Sequence, residues 1–176
     1  MSRAGDAAGD PGRSITRHGL MAYAIAAVVL VLDQLSKFWV LESLDLDNRA
    51  PIEILPVFRL SMVWNEGVSF GLLRADSDAM RWLLVAFAAV VVLVLLWWAG
   101  RQVRRLPAAA LGLIIGGAIG NNLIDRVRFG KVADFLDFGG LYFPWVFNVA
   151  DSAITIGVVL LLLDSFFHRD EAEPKA

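Results

Sequence analysis

The sequence predicts an all-α membrane protein with four transmembrane helices and a small extramembrane β platform between helices 1 and 2. Hydrophobic residues make up 57% of the 176 positions, and the mean hydropathy is +0.61. Soluble domains are only roughly 45–50% apolar. Four apolar runs approach the roughly 20 residues that a helix needs to cross a bilayer. The polar stretch after the first run contains short β-favouring segments.

The predicted transmembrane segments are residues 20–41, 82–99, 107–124 and 144–167. At about 1.5 Å per residue, the first segment reaches roughly 33 Å, which is enough for a hydrocarbon core of roughly 30 Å. In the third segment small residues recur at every fourth position, namely Gly112, Gly116 and Gly120. This spacing predicts that a neighbouring helix approaches closely.

The domain organisation follows from these segments. Residues 42–81 are predicted to form the platform, because 52–55 and 57–63 favour strands and are bounded by prolines and turn residues. Residues 20–167 are therefore expected to form a single membrane domain that includes the platform. The polar residues 1–19 and 168–176 are expected to be a flexible N-terminal tail and a C-terminal tail.

The composition excludes several kinds of chemistry. A formal net charge of -2, with no basic stripe, argues against a nucleic-acid partner. The chain has no cysteine, which excludes disulfides, thiolate metal sites and a cysteine nucleophile. Its two histidines, His18 and His168, lie in the two tails, so neither a histidine metal site nor a Ser–His triad is expected. Carboxylates, amides and hydroxyls must supply the chemistry, with no metal and no cofactor.

Acidic and amide side chains concentrate where the predicted helices end. Asp33 and Lys37 are four residues apart in the first segment, so they share one helical face and can pair. Asn122, Asp125 and Arg126 end the third segment, Asp134 follows in a short turn, and Asn148 and Asp151 lie near the start of the fourth. Because segments three and four are antiparallel, these residues are expected to meet at one membrane face. An acid at such a boundary is costly and indicates a functional site.

Two adjacent carboxylates cannot both ionise cheaply, so such a pair shares one proton. The ionised member can activate water while the neutral member donates a hydrogen bond to a scissile carbonyl, as in aspartic proteases. The same acids could equally relay protons in a small carrier or assembly subunit. Asp125, with Arg126 and Asn122 beside it, favours a structural polar network. At this point hydrolysis and proton relay both remain open.

Five motifs, in order along the chain, resemble the lipoprotein signal peptidase (signal peptidase II) family, whose members are bacterial inner-membrane aspartyl proteases. They are Asp33-Gln34-Leu35-Ser36-Lys37, Asn65-Glu66-Gly67-Val68-Ser69-Phe70, Gly120-Asn121-Asn122-Leu123-Ile124-Asp125-Arg126, Val132-Ala133-Asp134-Phe135 and Phe147-Asn148-Val149-Ala150-Asp151. Other intramembrane aspartyl proteases usually place their acids deeper and in longer chains.

The resemblance implies a role for each matching residue. It implies that Asp134 and Asp151 are catalytic. It implies that the substrate-binding or supporting residues are Asn65, Gly67, Asn122, Asp125, Arg126, Asn148, Ala150, Asp33 and Lys37. The pair Asn121-Asn122 contains one residue more than the family motif, and the spacing to Asp125 favours Asn122 as the one facing the site.

The resemblance also implies what the protein acts on and where. The expected reaction is cleavage of a prolipoprotein signal peptide just before a diacylglyceryl-modified cysteine, with membrane lipids as further partners and the chain as a monomer. The expected location is the bacterial cytoplasmic (inner) membrane. The shortest loop holds Arg101, Arg104 and Arg105, and arginine-rich short loops face the cytoplasm. Both termini are therefore expected in the cytoplasm, with the acids toward the outer face.

Overall fold

The computed structural model describes residues 14–67 and 78–169, with side chains described up to residue 167. In these ranges, four helical segments are long and apolar enough to cross a membrane: Arg17–Ser43, Asp78–Gly100, Arg105–Phe129 and Val149–Phe167. The predicted class, four apolar helices with a small sheet, is confirmed. The remainder of the predicted tails, at 1–13 and 170–176, lies outside the described residues, as does the platform segment 68–77.

The regular helices are α1 (Arg17–Phe38), α2 (Asp78–Gly100), α3 (Arg105–Ala118), α4 (Arg126–Phe129) and α5 (Val149–Arg169). α1 begins three residues before the predicted boundary, because the Thr16 side chain caps it by accepting from the Gly19 N–H at 2.9 Å. α2 begins at Asp78, inside the range assigned to the platform. α5 begins at Val149 rather than at Pro144, because the residues before it form a strand.

The third span, which consists of α3, the segment Ile119–Asp125 and α4, lies at the centre of the bundle. It is 56% buried along its most apolar stretch, against 28% or less for the other three spans. Its glycines allow this position, since an added Cβ at Gly112 would lie 2.5 Å from the Ala22 carbonyl oxygen of α1. Large apolar side chains such as Phe87, Leu93 and Phe166 are exposed on the outer faces, as expected for helices bathed in lipid.

A four-stranded antiparallel sheet in the order β1-β2-β3-β4 forms the platform. Its strands are β1 (Ile52–Leu55), β2 (Phe58–Asn65), β3 (Val132–Asp137) and β4 (Val146–Phe147). The two strands between the first two spans were predicted. β3 and β4 were not, and the structure corrects the prediction that Asp134 lies in a turn. The sheet therefore joins two distant parts of the chain, and it places Asp134 opposite Val63.

Candidate active site

The two acids of the predicted pair come from different elements, and one amide side chain joins them. Asp134 lies on β3, and Asp151 lies in the first turn of α5. Asn148, directly before α5, donates from Nδ2 to Asp134 Oδ1 at 2.7 Å. Its backbone N–H donates to Asp151 Oδ2 at 3.2 Å. A single buried asparagine thus contacts both carboxyl groups.

The start of α5 explains why Asp151 is held there. The Asp151 N–H donates to Asn148 Oδ1 at 2.9 Å, which, with the bond from the Asn148 N–H, completes a reciprocal capping box. The backbone N–H of Ala150, which also lies in the first turn of α5, donates to Asp33 Oδ1 of α1 at 3.1 Å. Exposed N–H groups at a helix start favour negative charge. The predicted supporting residues Asn148, Ala150 and Asp33 are therefore in contact at the first turn of α5.

The residue that reaches Asp151 from the third span is Asn121, not Asn122. Asn121 Nδ2 donates to Asp151 Oδ1 at 2.8 Å, whereas Asn122 accepts from Arg126 Nε at 3.4 Å. The prediction for Asn122 assumed the 3.6-residue turn of an α-helix. Residues Ile119–Asp125 form a π-helix, whose wider turn absorbs an extra residue and rotates the preceding side chains. The residue that contacts Asp151 therefore lies one position earlier in the chain than predicted.

Lys37 lies at the centre of a buried polar cluster beneath the acids. Its Nζ donates to Asp33 Oδ2 at 2.8 Å and to Asn121 Oδ1 at 2.6 Å, and it lies 2.7 Å from Asp125 Oδ2. The lysine is only 2% exposed, and Asp33 and Asp125 are fully buried. A buried ammonium is tolerated when all three of its donors have partners. The pairing of Lys37 with Asp33 is confirmed, and Asp125 belongs to this structural network.

Arg126 holds the end of β2 against the helices. Its guanidinium donates to the Glu66 carbonyl at 3.4 Å and also to the Gly67 carbonyl. The Gly67 N–H donates to Asn65 Oδ1 at 3.0 Å, so Asn65 Nδ2 is turned toward Asp134 Oδ2, which it contacts at 3.1 Å. The predicted residues Asn65, Gly67 and Arg126 thus form one chain of contacts that ends on Asp134.

The environment of Asp134 favours its protonated form. Burial, followed by the charge of the neighbouring Asp151, raises the pKa of Asp134 to about 7. Hydrogen bonds from Asn65 and Asn148, together with the charge of Lys37, act in the opposite direction. A carboxyl group in this range can exchange a proton near neutral pH, which general acid–base catalysis requires.

Two open cavities meet at Asp134. The larger, of about 460 Å³, is lined by both acids and by mostly apolar residues of β4, α5 and the connection before β4, among them Phe143, Ile154 and Ile156. The smaller, of about 360 Å³, is lined by Asp134 and by the end of β2. Within the described part of the chain, no three His, Cys, Asp or Glu side chains are grouped as metal ligands. The acids therefore face space that a chain with apolar and polar parts could occupy.

Three polar residues of this region were not anticipated as site residues: Asn121, Gln34 and Arg81. Gln34 Nε2 donates to Asp33 Oδ2 and Asp125 Oδ1, each at 3.1 Å. Arg81 of α2 donates to the Arg126 carbonyl at 2.8 Å and so holds the end of the third span. Gln34 could have been found, because it lies between Asp33 and Lys37 in a motif already identified. Nothing local to Arg81 indicates its distant partner.

These observations first define a class: a membrane protein with four spans and a buried pair of carboxyl groups that amide side chains contact. The chain belongs to the signal peptidase (SPase) II family, which matches residues 25–167. It is therefore a peptidase.

Similar proteins agree with this assignment. The chain is 58% identical over 160 residues to the lipoprotein signal peptidase of Caulobacter vibrioides, covering 91% of this chain and 95% of that protein. It is 45% identical over 150 residues to the one of Beijerinckia indica subsp. indica, covering 85% and 89%. A bacterial membrane enzyme structure obtained by the in meso method at 2.3 Å resolution shares the fold, with a TM-score of 0.76 at 24% identity over 89% of this chain and 93% of that chain. A second, at 1.9 Å, has a TM-score of 0.69 at 27% identity, covering 82% and 91%.

Proposed function

We propose that Asp134 and Asp151 are the catalytic pair with which this peptidase removes signal peptides from prolipoproteins, cutting before a diacylglyceryl-cysteine. The observation that carries the proposal is the contact of one buried asparagine, Asn148, with both acids at the wall of an apolar cavity. The lipoprotein signal peptidases to which the chain is similar supply the substrate class. No metal or cofactor enters the proposed reaction.

In the proposed reaction a water molecule lies between the two carboxyl groups and the scissile carbonyl. The ionised acid takes a proton from this water as the water oxygen bonds to the carbonyl carbon, and the protonated acid gives its proton to the carbonyl oxygen. The C–N bond of the resulting diol then breaks. The first acid passes its proton to the leaving nitrogen, and the second takes one back from a diol hydroxyl. Both acids return to their starting states.

The shape of the site supports a substrate that is part lipid and part peptide. Ile154 and Ile156 of α5 extend the larger cavity along a span, where acyl chains could enter from the bilayer. Asn65 and Gly67 line the smaller cavity, where backbone amides could pair with a peptide. Asn122 and Arg126 lie behind these residues and support them.

The same proposal covers location and assembly. The protein would lie in the bacterial inner membrane, with both termini in the cytoplasm and the acids near the outer face. The short loop with Arg101, Arg104 and Arg105 supports this orientation. The chain would act as a monomer, because both acids and every side chain that orients them belong to one copy. Residues 20–167 would form the working domain, to which the start of α1 and its Thr16 cap also belong.

The decisive experiment is hydrolysis of a synthetic prolipoprotein peptide carrying a diacylglyceryl-cysteine by purified protein in lipid. Asp134→Asn and Asp151→Asn are each expected to lower kcat at least roughly a thousandfold, since each removes one proton-transferring group. Asp164→Asn is the matched control, because it changes a buried acid of α5 that lies roughly 20 Å along the helix from Asp151. Near-parental cleavage by either catalytic variant would remove that residue from the proposal.

A further inference from the structure

The amide of Asn121 can have only one orientation. The Lys37 ammonium, which contacts it at 2.6 Å, has only donors, so the atom facing it must be the carbonyl oxygen Oδ1. The NH₂ group of Asn121 must then face the other way, where it meets Asp151 Oδ1 at 2.8 Å. Lys37 thus obliges Asn121 to present a donor to Asp151.

The second oxygen of Asp151 also faces a donor that cannot become an acceptor. This donor is the backbone N–H of Asn148, at 3.2 Å. Asp151 also lies in the first turn of α5, a 21-residue helix, where the helix dipole favours an anion. Both oxygens of Asp151 therefore meet donors that suit a carboxylate.

Asp134 has a weaker set of donors. It lies on a strand, with no helix start behind it. One of its donors, Asn148 Nδ2, also contacts Asn121 Oδ1 at 3.1 Å and the Ala133 carbonyl at 3.2 Å, so two hydrogens serve three acceptors. The other donor, Asn65 Nδ2, lies at 3.1 Å. Of the two acids, Asp134 is the better placed to hold a proton.

We infer that Asn121, oriented by Lys37, is a positioning residue that keeps Asp151 as the resting carboxylate and leaves the shared proton on Asp134. This inference rests on the proposed function and assigns its two roles. Asp151 takes the proton from water, and Asp134 protonates the carbonyl oxygen. The pKa of about 7 for Asp134 agrees with this order.

The charged groups that face the pair come from several elements. Lys37 and Asp33 belong to α1, and Asp125 ends the π-helical segment. Arg126, at the start of α4, interacts by its charge with Asp134. Asp33 and Asp125 each pair with Lys37, so the cluster of three carries one net negative charge. A general electrostatic effect of this cluster would act on both acids. Asn121 Nδ2, in contrast, donates to Asp151 at 2.8 Å and to Asn148 Oδ1 at 3.3 Å, and not to Asp134. Removing its donor therefore tests the assignment.

The test compares the dependence of kcat/KM on pH in Asn121→Ala and Asn122→Ala, with the lipidated peptide as substrate. In the parent, the acid-side fall in rate reports loss of the carboxylate that serves as base. Asn121→Ala is expected to move that fall to higher pH by about one unit, a tenfold loss on the acid side, because one hydrogen bond to a charged group is removed. Asn122→Ala is expected to leave the fall in place, whatever it does to the rate.

Two further variants distinguish the loss of the hydrogen-bond donor at position 121 from a general loss of structure. Asn121→Asp keeps the size and the acceptor for Lys37 but cannot donate, so it should shift the fall at least as far as alanine. Asn121→Ser offers a hydroxyl that can both accept and donate, and it should recover part of the shift. The inference would be overturned if Asn121→Ala and Asn121→Asp both left the acid-side fall in kcat/KM at the parental pH. It would also be overturned if Asn122→Ala moved this fall as far as Asn121→Ala does.

A second readout needs no turnover. Carbon NMR of isotope-labelled aspartate carboxyls at about pH 6, below the Asp134 pKa of about 7, should show Asp134 as the acid and Asp151 as the carboxylate. The reverse order would overturn the inference even if both acids are catalytic. Continued cleavage by Asp134→Asn or Asp151→Asn would instead overturn the proposed function, so the two failures are distinguishable.

Discussion

The Ala150 N–H donates to Asp33 Oδ1 at 3.1 Å, although the two residues are 117 positions apart in the chain. The first span thus supplies a cap for the last one. Asp33 is fully buried and also accepts from Lys37 and Gln34, so one carboxylate ties the start of α5 to the cluster beneath the acids. The position of Asp151 depends on this cap, because it lies one residue beyond Ala150.

Asp33→Asn should destabilise the fold. The variant removes a charge that stabilises both Lys37 and the start of α5, and a hydrogen bond to a charged group is worth about 1.5–3 kcal/mol. We expect the free energy of unfolding in detergent to fall by about 2 kcal/mol. Glu42→Gln, an exposed carboxylate-to-amide change, is the control and should leave it unchanged. Equal stability of the two variants would contradict a capping role for Asp33.

Gly120→Ala should disturb Asp33 directly. A Cβ at position 120 would lie 2.5 Å from Asp33 Oδ2, too close for any packing without movement of that carboxylate. We expect lower thermal stability and a loss of peptide cleavage of about tenfold. Gly116→Ala is the comparison, since its Cβ would meet the Ala26 carbonyl instead and would separate α1 from α3. If Gly120→Ala loses no more activity than Gly116→Ala, contact with Asp33 is not what matters at this position.

Asp134 should make the folded protein less stable as the pH rises. Its pKa is raised from 3.8 to about 7 in the folded state. Between these values the folded protein holds a proton that the unfolded chain has lost, so stability falls with rising pH and levels off above about 7. Unfolding of the parent, compared with that of Asp134→Asn from about pH 4 to 7, should show a larger loss of stability in the parent than in the variant. Glu53→Gln, exposed on β1, should follow the parent.

Arg104→Ala should affect stability without affecting cleavage. Arg104 donates twice to Asp164 of α5, at 3.0 and 2.5 Å, at the end of the bundle away from the acids. Asp164 is buried, but Arg104 is 45% exposed, so solvent screening limits the loss to about 1–2 kcal/mol. Arg105→Ala, the neighbouring exposed arginine, is the control. A drop in kcat with Arg104→Ala would show that this end of the bundle is coupled to the acids.

The helices were predictable because each apolar run is continuous and long enough to span a bilayer. β3 was not, since Val132–Asp137 is only six residues long and pairs with a strand far earlier in the chain. A local pattern carries no information about such a distant partner. Arg104 and Asp164 illustrate the same limit, because they are 60 positions apart and neither belongs to a recognisable motif.

The candidate site was predictable in its residue types and their spacing, but not in its register. The i,i+3 spacing of Asn148 and Asp151 correctly indicated that both lie at one helix start. The same reasoning selected Asn122 over Asn121, because it assumed an α-helical turn where the chain forms a π-helix. Hydrogen bonding to Lys37 and Asp151, which the sequence does not display, decides between the two asparagines.

The pairing of Lys37 with Asp33 within α1 has a consequence for biogenesis. When the first segment is inserted during synthesis, its later partner Asp125 has not yet been made. We expect the i,i+4 ion pair to reduce the net charge of this segment during its insertion, which would lower the free-energy cost of placing Asp33 and Lys37 in the bilayer. When the third span is added, Asp125 would join this pair and complete the buried ion cluster beneath the acids.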